Sequence, residues 1–303
     1  MVLIYGSLQL GFLYGLLALG IYISFRILNI PDLTAEGSFT FGLAVSAMMT
    51  LKGHPLLGLL LAVFAGALAG SITGIFQTKL MIHPILSGIL TMSGLYSINL
   101  MVLGDSPNCS LIGVDTIFRL AYSWFPFLDK DQIKLLIGLL FAIIAVVVLA
   151  IFFKTQIGLS IRATGDNEDM VRASSINVNL TKILALSISN GCIALSGGLI
   201  AQYQGFADLN SGVGILVVGL ASVIIGEVIC GRRSVTIGFL SAIVGSIVYR
   251  FIIALATKTN LFPAYMLKFV AACIVAIALS LPAIKYYYAL SKTKKEAKHN
   301  ARN

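Results

Sequence analysis

Long apolar runs separated by short polar breaks dominate this chain. Each run approaches or exceeds the roughly 20 residues that an α-helix needs to cross the hydrocarbon core of a bilayer. Lipid supplies no water to satisfy backbone N–H and C=O groups, so such runs are expected to be helical. The pattern predicts an all-α, polytopic membrane bundle of about eight to ten segments. The nine predicted segments are Leu3–Phe25, Leu33–Leu51, Pro55–Lys79, Pro84–Gly104, Ile133–Phe153, Thr181–Tyr203, Val213–Cys230, Val235–Ala256 and Pro263–Tyr286.

The second segment, Leu33–Leu51, is the weakest of the nine. It contains Glu36 together with several Gly and Ser residues. Two alternatives stay open: a spanning helix, or a broken helix that re-enters on the same side. The choice between them decides on which side of the membrane the N-terminus lies.

Composition narrows the class of protein. Of the 303 residues, 58% are hydrophobic and 11% are charged, and the mean hydropathy is +0.97. A soluble domain averages about 45–50% apolar and about 25% charged residues. A soluble fold of this length has too little interior to hide so much apolar surface, so the composition excludes an ordinary soluble domain.

The chain carries a net charge of +9, and five of its 21 basic residues lie in the C-terminal tail. We therefore divide the chain into a transmembrane domain, residues 1–290, and a basic tail, residues 291–303, which we expect in the cytoplasm. Lys and Arg favour the cytoplasmic side of membrane proteins, and a tail placed inside puts most of the 21 basic residues there. An anchor on anionic lipid explains the tail, and we expect no nucleic-acid partner.

The loop Lys154–Asn179 carries the clearest local pattern. Thr164 and Gly165 are predicted to end the preceding structure, and Asp166 to cap a short helix. Two acids follow in the first turn, where they complement the helix dipole. The pattern predicts a short amphipathic helix on the cytoplasmic face, which is either an ordinary connection or a docking surface for a cytoplasmic partner.

This loop resembles the coupling-helix region of ABC importer permeases of the branched-chain amino acid and ribose permease superfamily. That family shows the pattern R-A-x-G-x-N-x-x-x-A-x-x-x-G-I. Met170 stands here where Ala is common, and Ser175 replaces the usual Gly before Ile176. Two further stretches, Ile27–Gly42 and Gly219–Glu227, resemble family motifs near the first span and near the end of a late span. The resemblance extends from about residue 5 to residue 285.

The resemblance implies the fold and partners of a type II ABC importer. Two permease copies, as a homodimer, would form the pathway, and two cytoplasmic ATPase subunits would dock beneath. The sequence is similar to a bacterial subgroup paired with a substrate-binding lipoprotein, some of whose members are associated with aromatic amino acids. The implied ATPase-coupling residues are Arg162, Gly165, Asp166, Asn167, Met170, Val171 and Arg172.

ATP chemistry is assigned to another chain. This sequence contains no Gly-x-x-x-x-Gly-Lys-Ser/Thr pattern, so we expect no cofactor here and place ATP and Mg on the partner ATPase. The four cysteines are scattered and form no metal-binding spacing. The expected location is the bacterial cytoplasmic membrane, with the C-terminus in the cytoplasm.

Polar residues within the apolar segments are candidates for the substrate pathway, because a charge or amide at membrane depth usually faces a cavity or a partner. Other roles stay open: Asp32 and Glu36 as helix caps, and Asn190 as an interhelical contact. Glu227 is assigned a structural role, with pairing to Arg232 and Arg233 as one reading. The candidate pathway residues are Asn29, Asp32, Glu36, Ser38, Ser93, Tyr96, Asn99, Asn190 and Gln202.

Three glycines, Gly66, Gly70 and Gly74, recur every four residues in the third segment. This small-xxx-small spacing lets two helices approach closely. We expect it to serve packing within the subunit, with a dimer seam as the alternative.

The sequence predicts the permease subunit of an ATP-driven importer for a small solute, with an amino acid as the first choice. A sugar or nucleoside importer and a stand-alone, ion-coupled transporter are the alternatives. In the stand-alone reading, Asp32, Glu36 and Glu227 would be coupling carboxylates. An intramembrane enzyme is disfavoured, because HExxH and GxSxG patterns are absent from the sequence.

Overall fold

The computed structural model describes residues 2–124, 127, 129–231 and 234–258, with isolated positions at 269, 272–273, 276 and 280. The ninth predicted segment, Pro263–Tyr286, lies outside the described residues apart from those isolated positions. The tail 291–303 also lies outside them, as do Arg232 and Arg233.

The described chain is almost entirely helical, as the sequence predicts. A π-helical turn, Ile23–Ile27, extends the first helix, Val2–Tyr22. A 3-10 turn, Leu209–Gly212, precedes the helix Ile215–Cys230. One two-stranded antiparallel sheet pairs Cys109 with Ala207. The elements are α1 (Val2–Tyr22), α2 (Thr34–Leu51), α3 (Pro55–Thr78), α4 (Pro84–Val102), β1 (Asn108–Ser110), α5 (Ile117–Trp124), α6 (Lys130–Phe152), α7 (Gln156–Asp166), α8 (Glu168–Ala173), α9 (Val178–Gln204), β2 (Phe206–Asp208), α10 (Ile215–Cys230) and α11 (Val235–Lys258).

Seven helices of the described chain are long and apolar enough to cross a membrane. This finding confirms the prediction of a polytopic helical bundle. The seven are Leu3–Ile27, Pro55–Thr78, Pro84–Val102, Lys130–Phe152, Val178–Gln204, Leu209–Cys230 and Val235–Lys258.

Helix α2 is an eighth long helix, and it runs through the bundle as one continuous helix. It has 18 residues, which gives a length of about 27 Å at 1.5 Å per residue. Its first residue, Thr34, hydrogen-bonds Thr73 near the end of α3, and its last, Leu51, is followed by a short turn into the start of α3. This path favours the spanning alternative over the re-entrant one.

The breaks in helical structure lie elsewhere than inside α2. One is the π-helical turn and the irregular segment Leu28–Leu33 before α2, and the other is the stretch Phe206–Gly214 before α10. The first break lies at the α7–α8 end of the bundle, because Gly165 of α7 lies against the carbonyl oxygen of Ile27. The second break begins at the opposite end of the bundle, which carries β1 and β2 and which we call the strand end. It runs from there to Glu36 in the first turn of α2.

Helix α9 is the centre of the bundle, and glycines let its neighbours approach closely. Gly66, Gly70 and Gly74 of α3 all face α9: a Cβ at Gly70 would collide with the carbonyl oxygen of Leu186, and one at Gly74 would lie 2.8 Å from the Cα of Ile183. The structure thus places this small-residue stripe inside the subunit. Cα–H and carbonyl groups of the two helices are in direct contact there, as in close-packed membrane helices.

Replacing Gly70 with Val is expected to disrupt the contact of α3 with α9. Overpacking of this kind costs about 1–3 kcal/mol, and here the colliding group is backbone, which cannot rotate away. The purified variant should show a lower apparent melting temperature and more aggregate on size-exclusion chromatography than wild type. Gly6→Val is the control, since a Cβ at Gly6 meets nothing within 4 Å; equal melting temperatures for Gly70→Val and the control would contradict this packing.

Candidate functional site

A cavity of about 350 Å³ opens between α2, α4 and the stretch before α10. We call it the central cavity. Helix α2 contributes its first turns, α4 its second half, and the 3-10 turn its floor. The residues that line it are Glu36, Gly37, Thr40, Met92, Ser93, Tyr96, Asn99, Leu209, Gly212 and Val213.

Close backbone contacts hold the walls of the central cavity together. A Cβ at Gly212 would strike the carbonyl oxygen of Glu36, so only Gly allows the 3-10 turn to lie against α2. The backbone N–H of Gly214 donates to Glu36 Oε1 at 3.0 Å. On the other wall, Asn99 Nδ2 donates to the carbonyl oxygen of Gly37 at 3.3 Å.

Helix α4 exposes polar side chains beside the mouth of the cavity. Ser93 and Ser97 are exposed, and the Tyr96 side chain is 55% exposed. Polar groups within a spanning helix face a partner or a water-filled path because hydrocarbon does not solvate them. Ser93 and Tyr96 line the cavity, whereas Ile98 and Met101, also exposed on α4, are apolar.

Asp32 and Asn190 lie away from the central cavity, in a buried pair. Asp32 is 1% exposed and Asn190 is fully buried. Asp32 accepts a hydrogen bond from the backbone N–H of Thr34 at 2.9 Å and from Asn190 Nδ2 at 2.6 Å. Asp32 therefore caps the start of α2 and ties it to α9.

Gln202 ties four elements together at the strand end. Its Nε2 donates to Ser46 Oγ and to the carbonyl oxygen of Pro55, each at 3.0 Å, and its Oε1 accepts from the N–H of Ile117 at 2.9 Å. With both ends of the amide engaged in protein contacts, its geometry is that of a structural bridge between α9, α2, α3 and α5.

The remaining two predicted pathway residues are also outside the central cavity. Ser38 is fully buried in α2. Asn29 has a left-handed backbone, with φ of 59°, and lines a second cavity at the α7–α8 end with Arg26, Arg162 and Glu227. The structure thus brings Glu36, Ser93, Tyr96 and Asn99 together at the central cavity and places the other five candidates outside it.

The predicted boundary of the short cytoplasmic helix is wrong by one residue. Helix α7 continues through Thr164 and Gly165 and ends at Asp166, and Asn167 caps α8 by accepting from the N–H of Met170 at 3.1 Å. Thr164 does not break the helix because its hydroxyl donates to the carbonyl of Ser160 one turn earlier.

Together α7 and α8 (Gln156–Ala173) have an anchored side and an exposed side. We call this segment the coupling element, after the role that the sequence resemblance predicts for it. Val171 is 4% exposed and anchors α8, whereas Met170 is 68% exposed. On α7, Arg162 is exposed, and Gly165 lies directly against the backbone of Ile27. The element presents Met170 outward while resting on the end of the first helix.

Glu168 fastens α8 to the bundle by two ion pairs. Its Oε2 lies 2.6 Å from Lys182 Nζ of α9, and its Oε1 lies 2.7 Å from Arg172, one turn later. The hydrogen bond from Lys182 is the largest cause that lowers the pKa of Glu168; partial burial opposes it, and the bond from Arg172 adds to the lowering.

Glu227 closes the same end of the bundle by pairing with the first helix. Its carboxylate lies 2.6 Å from the Arg26 guanidinium, and its side chain is 7% exposed. The sequence suggested Arg232 and Arg233 as partners, but these lie outside the described residues. The pair links α10 to the π-helical turn beside the coupling element.

Six of the ten residues that line the cavity were not identified from the sequence. Thr40 follows Glu36 by four residues, and Met92 precedes Tyr96 by four, so a same-face argument could have found both. Gly212 and Gly214 flank Val213 before an apolar run, which is a signal of irregular backbone. That signal marks the break that forms the cavity floor.

Replacing Glu168 with Gln should loosen α8 at neutral pH. The folded-state pKa of Glu168 is lowered, so its pairing stabilises α8 above the ordinary Glu pKa of about 4.3 and is lost as the pH falls through the folded-state value. Exposed pairs contribute about 1 kcal/mol or less, so amide hydrogen exchange in Glu168–Ala173 should rise a few-fold at pH 7. Asp169→Asn, at an exposed acid next to it, is the control; an unchanged exchange rate in Glu168→Gln would contradict the anchoring.

Comparison with known proteins agrees with this architecture. The family described as the permease component of the branched-chain amino acid transport system matches residues 3–281. The tyrosine transport system permease protein of Clostridioides difficile (strain R20291) is 39% identical over 247 residues, which cover 81% of this chain and 80% of that protein.

More distant relatives carry other substrates in their names. The nucleoside ABC transporter permease of Lactococcus lactis subsp. cremoris is 28% identical over 62% of this chain and 55% of that protein. The galactose/methyl galactoside import permease of Escherichia coli is 27% identical over 73% and 65%. With a match over nearly its whole length, this chain belongs to the branched-chain amino acid permease family and is a multi-pass ABC transporter permease.

Proposed function

We propose that this chain is the membrane-spanning subunit of an ATP-driven importer for an amino acid, with tyrosine or another aromatic amino acid as the first candidate. The tyrosine permease of C. difficile, at 39% identity over 81% of the chain, supports the substrate class. The observation that carries the proposal is a continuous structural path from the coupling element to the central cavity.

The path begins where α7 meets the first helix. Gly165 lies against the carbonyl oxygen of Ile27, the last residue of the π-helical turn. A Cβ at position 165 would force the two apart, so any displacement of α7 is transmitted directly to Ile27. The contact is backbone on backbone, which makes it stiff.

The path continues through the irregular segment into α2. Asn29, in its left-handed conformation, turns the chain, and Asp32 holds the start of α2 against Asn190. Glu36 follows one turn later and lines the central cavity. A shift of the coupling element thus moves the helix that carries one cavity wall.

An ATPase is the partner that the coupling element fits. Met170 projects from a short helix that is anchored by Val171 and Glu168, a geometry suited to seating in a groove of a cytoplasmic subunit. Two such subunits would bind ATP and Mg, since this sequence lacks a phosphate-binding loop. ATP-driven closure of the pair would push the coupling element and switch the pathway.

A second copy of this chain completes the pathway in our proposal. The exposed Ser93, Tyr96 and Ser97 of α4 would face the same residues of the second copy across a polar channel. A binding lipoprotein would deliver substrate at the strand end. The α7–α8 end and the basic tail would then lie in the cytoplasm of a bacterial cell, and lipid would cover the apolar outer faces.

A sugar or a nucleoside is the second candidate substrate. The relatives whose names specify galactose and nucleoside import share 27–28% identity with this chain, well below the identity of the tyrosine permease. A binding lipoprotein sets much of the selectivity in such systems, so the substrate test includes these compounds.

Uptake in proteoliposomes tests the function. The chain reconstituted with its ATPase and binding lipoprotein should accumulate radiolabelled tyrosine only when ATP is present on the ATPase side. Uptake of galactose or a nucleoside in place of tyrosine would select the second candidate. Ion-driven uptake by the chain without the ATPase would contradict the ATP-driven mechanism.

Met170→Glu should abolish co-purification of the ATPase while leaving the permease folded, because a charge would replace the apolar side chain that enters the groove. Met81→Glu is the matched control: Met81 is 78% exposed and lies in the connection after α3. Retention of the ATPase by Met170→Glu would remove α8 from the docking surface.

Gly165→Val should separate ATP hydrolysis from transport. The larger side chain would push α7 away from Ile27, so the assembled complex should hydrolyse ATP but accumulate tyrosine at least about tenfold more slowly. Ala163→Val, at a half-buried neighbouring position on α7, is the control. Normal uptake per ATP in Gly165→Val would contradict the proposed path.

A further inference from the structure

A further cavity, of about 560 Å³, lies at the strand end between α5, the start of α6 and the end of α9. We call it the strand-end cavity. Three cationic side chains line it, and the lining contains neither Asp nor Glu: the three are Arg119, Lys130 and Lys134. The proposed transport path uses none of them. A concave site lined by charges of one sign concentrates ions of the opposite sign, so the strand-end cavity favours an anion.

Tyrosine rings hold the two lysines at this cavity. Lys130 Nζ lies 5.5 Å from the centre of the Tyr122 ring, and Lys134 Nζ lies 5.0 Å from the centre of the Tyr203 ring. Both rings also line the cavity, so the ammonium groups lie beside it. Within the part of the chain that the structure describes, neither lysine forms an ion pair. A ring attracts a cation without cancelling its charge, so both charges stay available to an anion from outside the chain.

The acids near the strand-end cavity do not cancel its positive charge. Asp115 Oδ1 lies 3.3 Å from Arg119 Nε, but both side chains are more than half exposed, and pairs of that kind are weak. Asp129 and Asp131 flank Lys130 along the chain; both are exposed, and both lie outside the lining. The cavity therefore keeps an excess of cations.

The strand-end cavity lies at the level where a membrane meets water. Lys130 is the first residue of α6, which is long and apolar enough to span a bilayer. Helix α5, beside it, ends at the exposed Trp124, and Phe127 in the following connection is also exposed. Trp and Tyr are enriched at the level of the lipid headgroups, and a Lys near a helix end extends its ammonium group to the same level. A headgroup anion therefore has direct access to the cavity.

Helix α6 continues from the cavity as a largely apolar surface. Its exposed side begins two residues after Lys134 and extends down the helix. Six of its apolar side chains are at least half exposed: Leu136, Leu140, Ile143, Ile144, Val147 and Val148. Basic groups at the interface above such a surface match a phospholipid with an anionic headgroup at both of its ends.

We propose that the strand-end cavity binds the phosphate of an anionic phospholipid, with Lys130 and Lys134 as its ligands. Their ammonium groups donate charge-assisted hydrogen bonds to the phosphate oxygens, and the acyl chains pack along the outer side of α6. The bound lipid would also brace α5 against α9, where the N–H of Ile117 already donates to Gln202 Oε1. Nothing at this site depends on which solute is transported.

Trp124 reports on lipid at this site, because it is the single Trp of the chain and lies two residues after Tyr122. The full-length chain is reconstituted in mixed vesicles of phosphatidylglycerol and phosphatidylcholine, with bromine on the acyl chains of one lipid or the other. Bromine quenches Trp fluorescence at short range, so the quenching gives the relative affinity of the two lipids around Trp124. Phosphatidylglycerol should be favoured at least about fivefold. Equal quenching by the two lipids would overturn the proposal.

Variants locate the preference to the two lysines. The double variant Lys130→Gln with Lys134→Gln should lower the ratio of affinities to about one, because it removes both ligand charges. The double variant with Arg at both positions should retain the preference. Lys52→Gln is the matched control: Lys52 is exposed in the turn after α2 and lies outside the cavity lining. Melting temperatures verify that each variant is folded, and an unchanged preference in the folded Gln variant would overturn the assignment.

Inorganic phosphate distinguishes a lipid site from a site for any small anion. Phosphate added at constant ionic strength should leave the quenching by brominated phosphatidylglycerol unchanged, because the acyl chains hold the lipid headgroup at a high effective concentration beside the cavity. Relief of quenching by phosphate, but not by chloride, would assign the cavity to a free anion and overturn the lipid proposal.

Discussion

The close approach of α2 and α3 to α9 is the constraint on which the rest of the structure depends. A Cβ at Gly42 of α2 would strike the backbone of Ala194, and one at Gly197 would strike the carbonyl oxygen of Phe39. The same holds for Gly70 of α3 against Leu186. Lipid gives no hydrophobic driving force between helices, so this backbone packing supplies the association.

The tight packing around α9 determines which buried polar side chains can reach a hydrogen-bond partner. Asn190 reaches Asp32 only because α9 and the segment before α2 are in contact, and Gln202 reaches Ser46 for the same reason. These buried bonds set the height of α2 in the bundle. Glu36 consequently faces the stretch before α10, where Gly214 donates to it.

Helix existence was predictable from the sequence because apolar length alone dictates it in lipid. The sequence did not show which residues line the cavity. Glu36 and Ser38 are both polar residues of one weak segment, yet only Glu36 lines the cavity, because the helix turns them to different faces. Asp32 precedes the helix and is buried against Asn190 instead. The contact of Gly165 with Ile27 joins two distant parts of the sequence, and no single-sequence pattern reports such a contact.

Two backbone breaks flank the start of α2: one meets Gly165 of α7, and the other forms the floor of the central cavity. Non-helical backbone at membrane depth is tolerated where protein or a cavity satisfies it. Before α2, the N–H of Leu28 bonds Ile23 and that of Ile30 bonds Ser24, which closes the π-helical turn; before α10, the N–H of Gly214 bonds Glu36. Continuous helices at both places would remove the turn that meets Gly165 and the floor of the cavity together. Both breaks therefore lie beside the first turn of α2: the first leads into Thr34, and the second is hydrogen-bonded to Glu36.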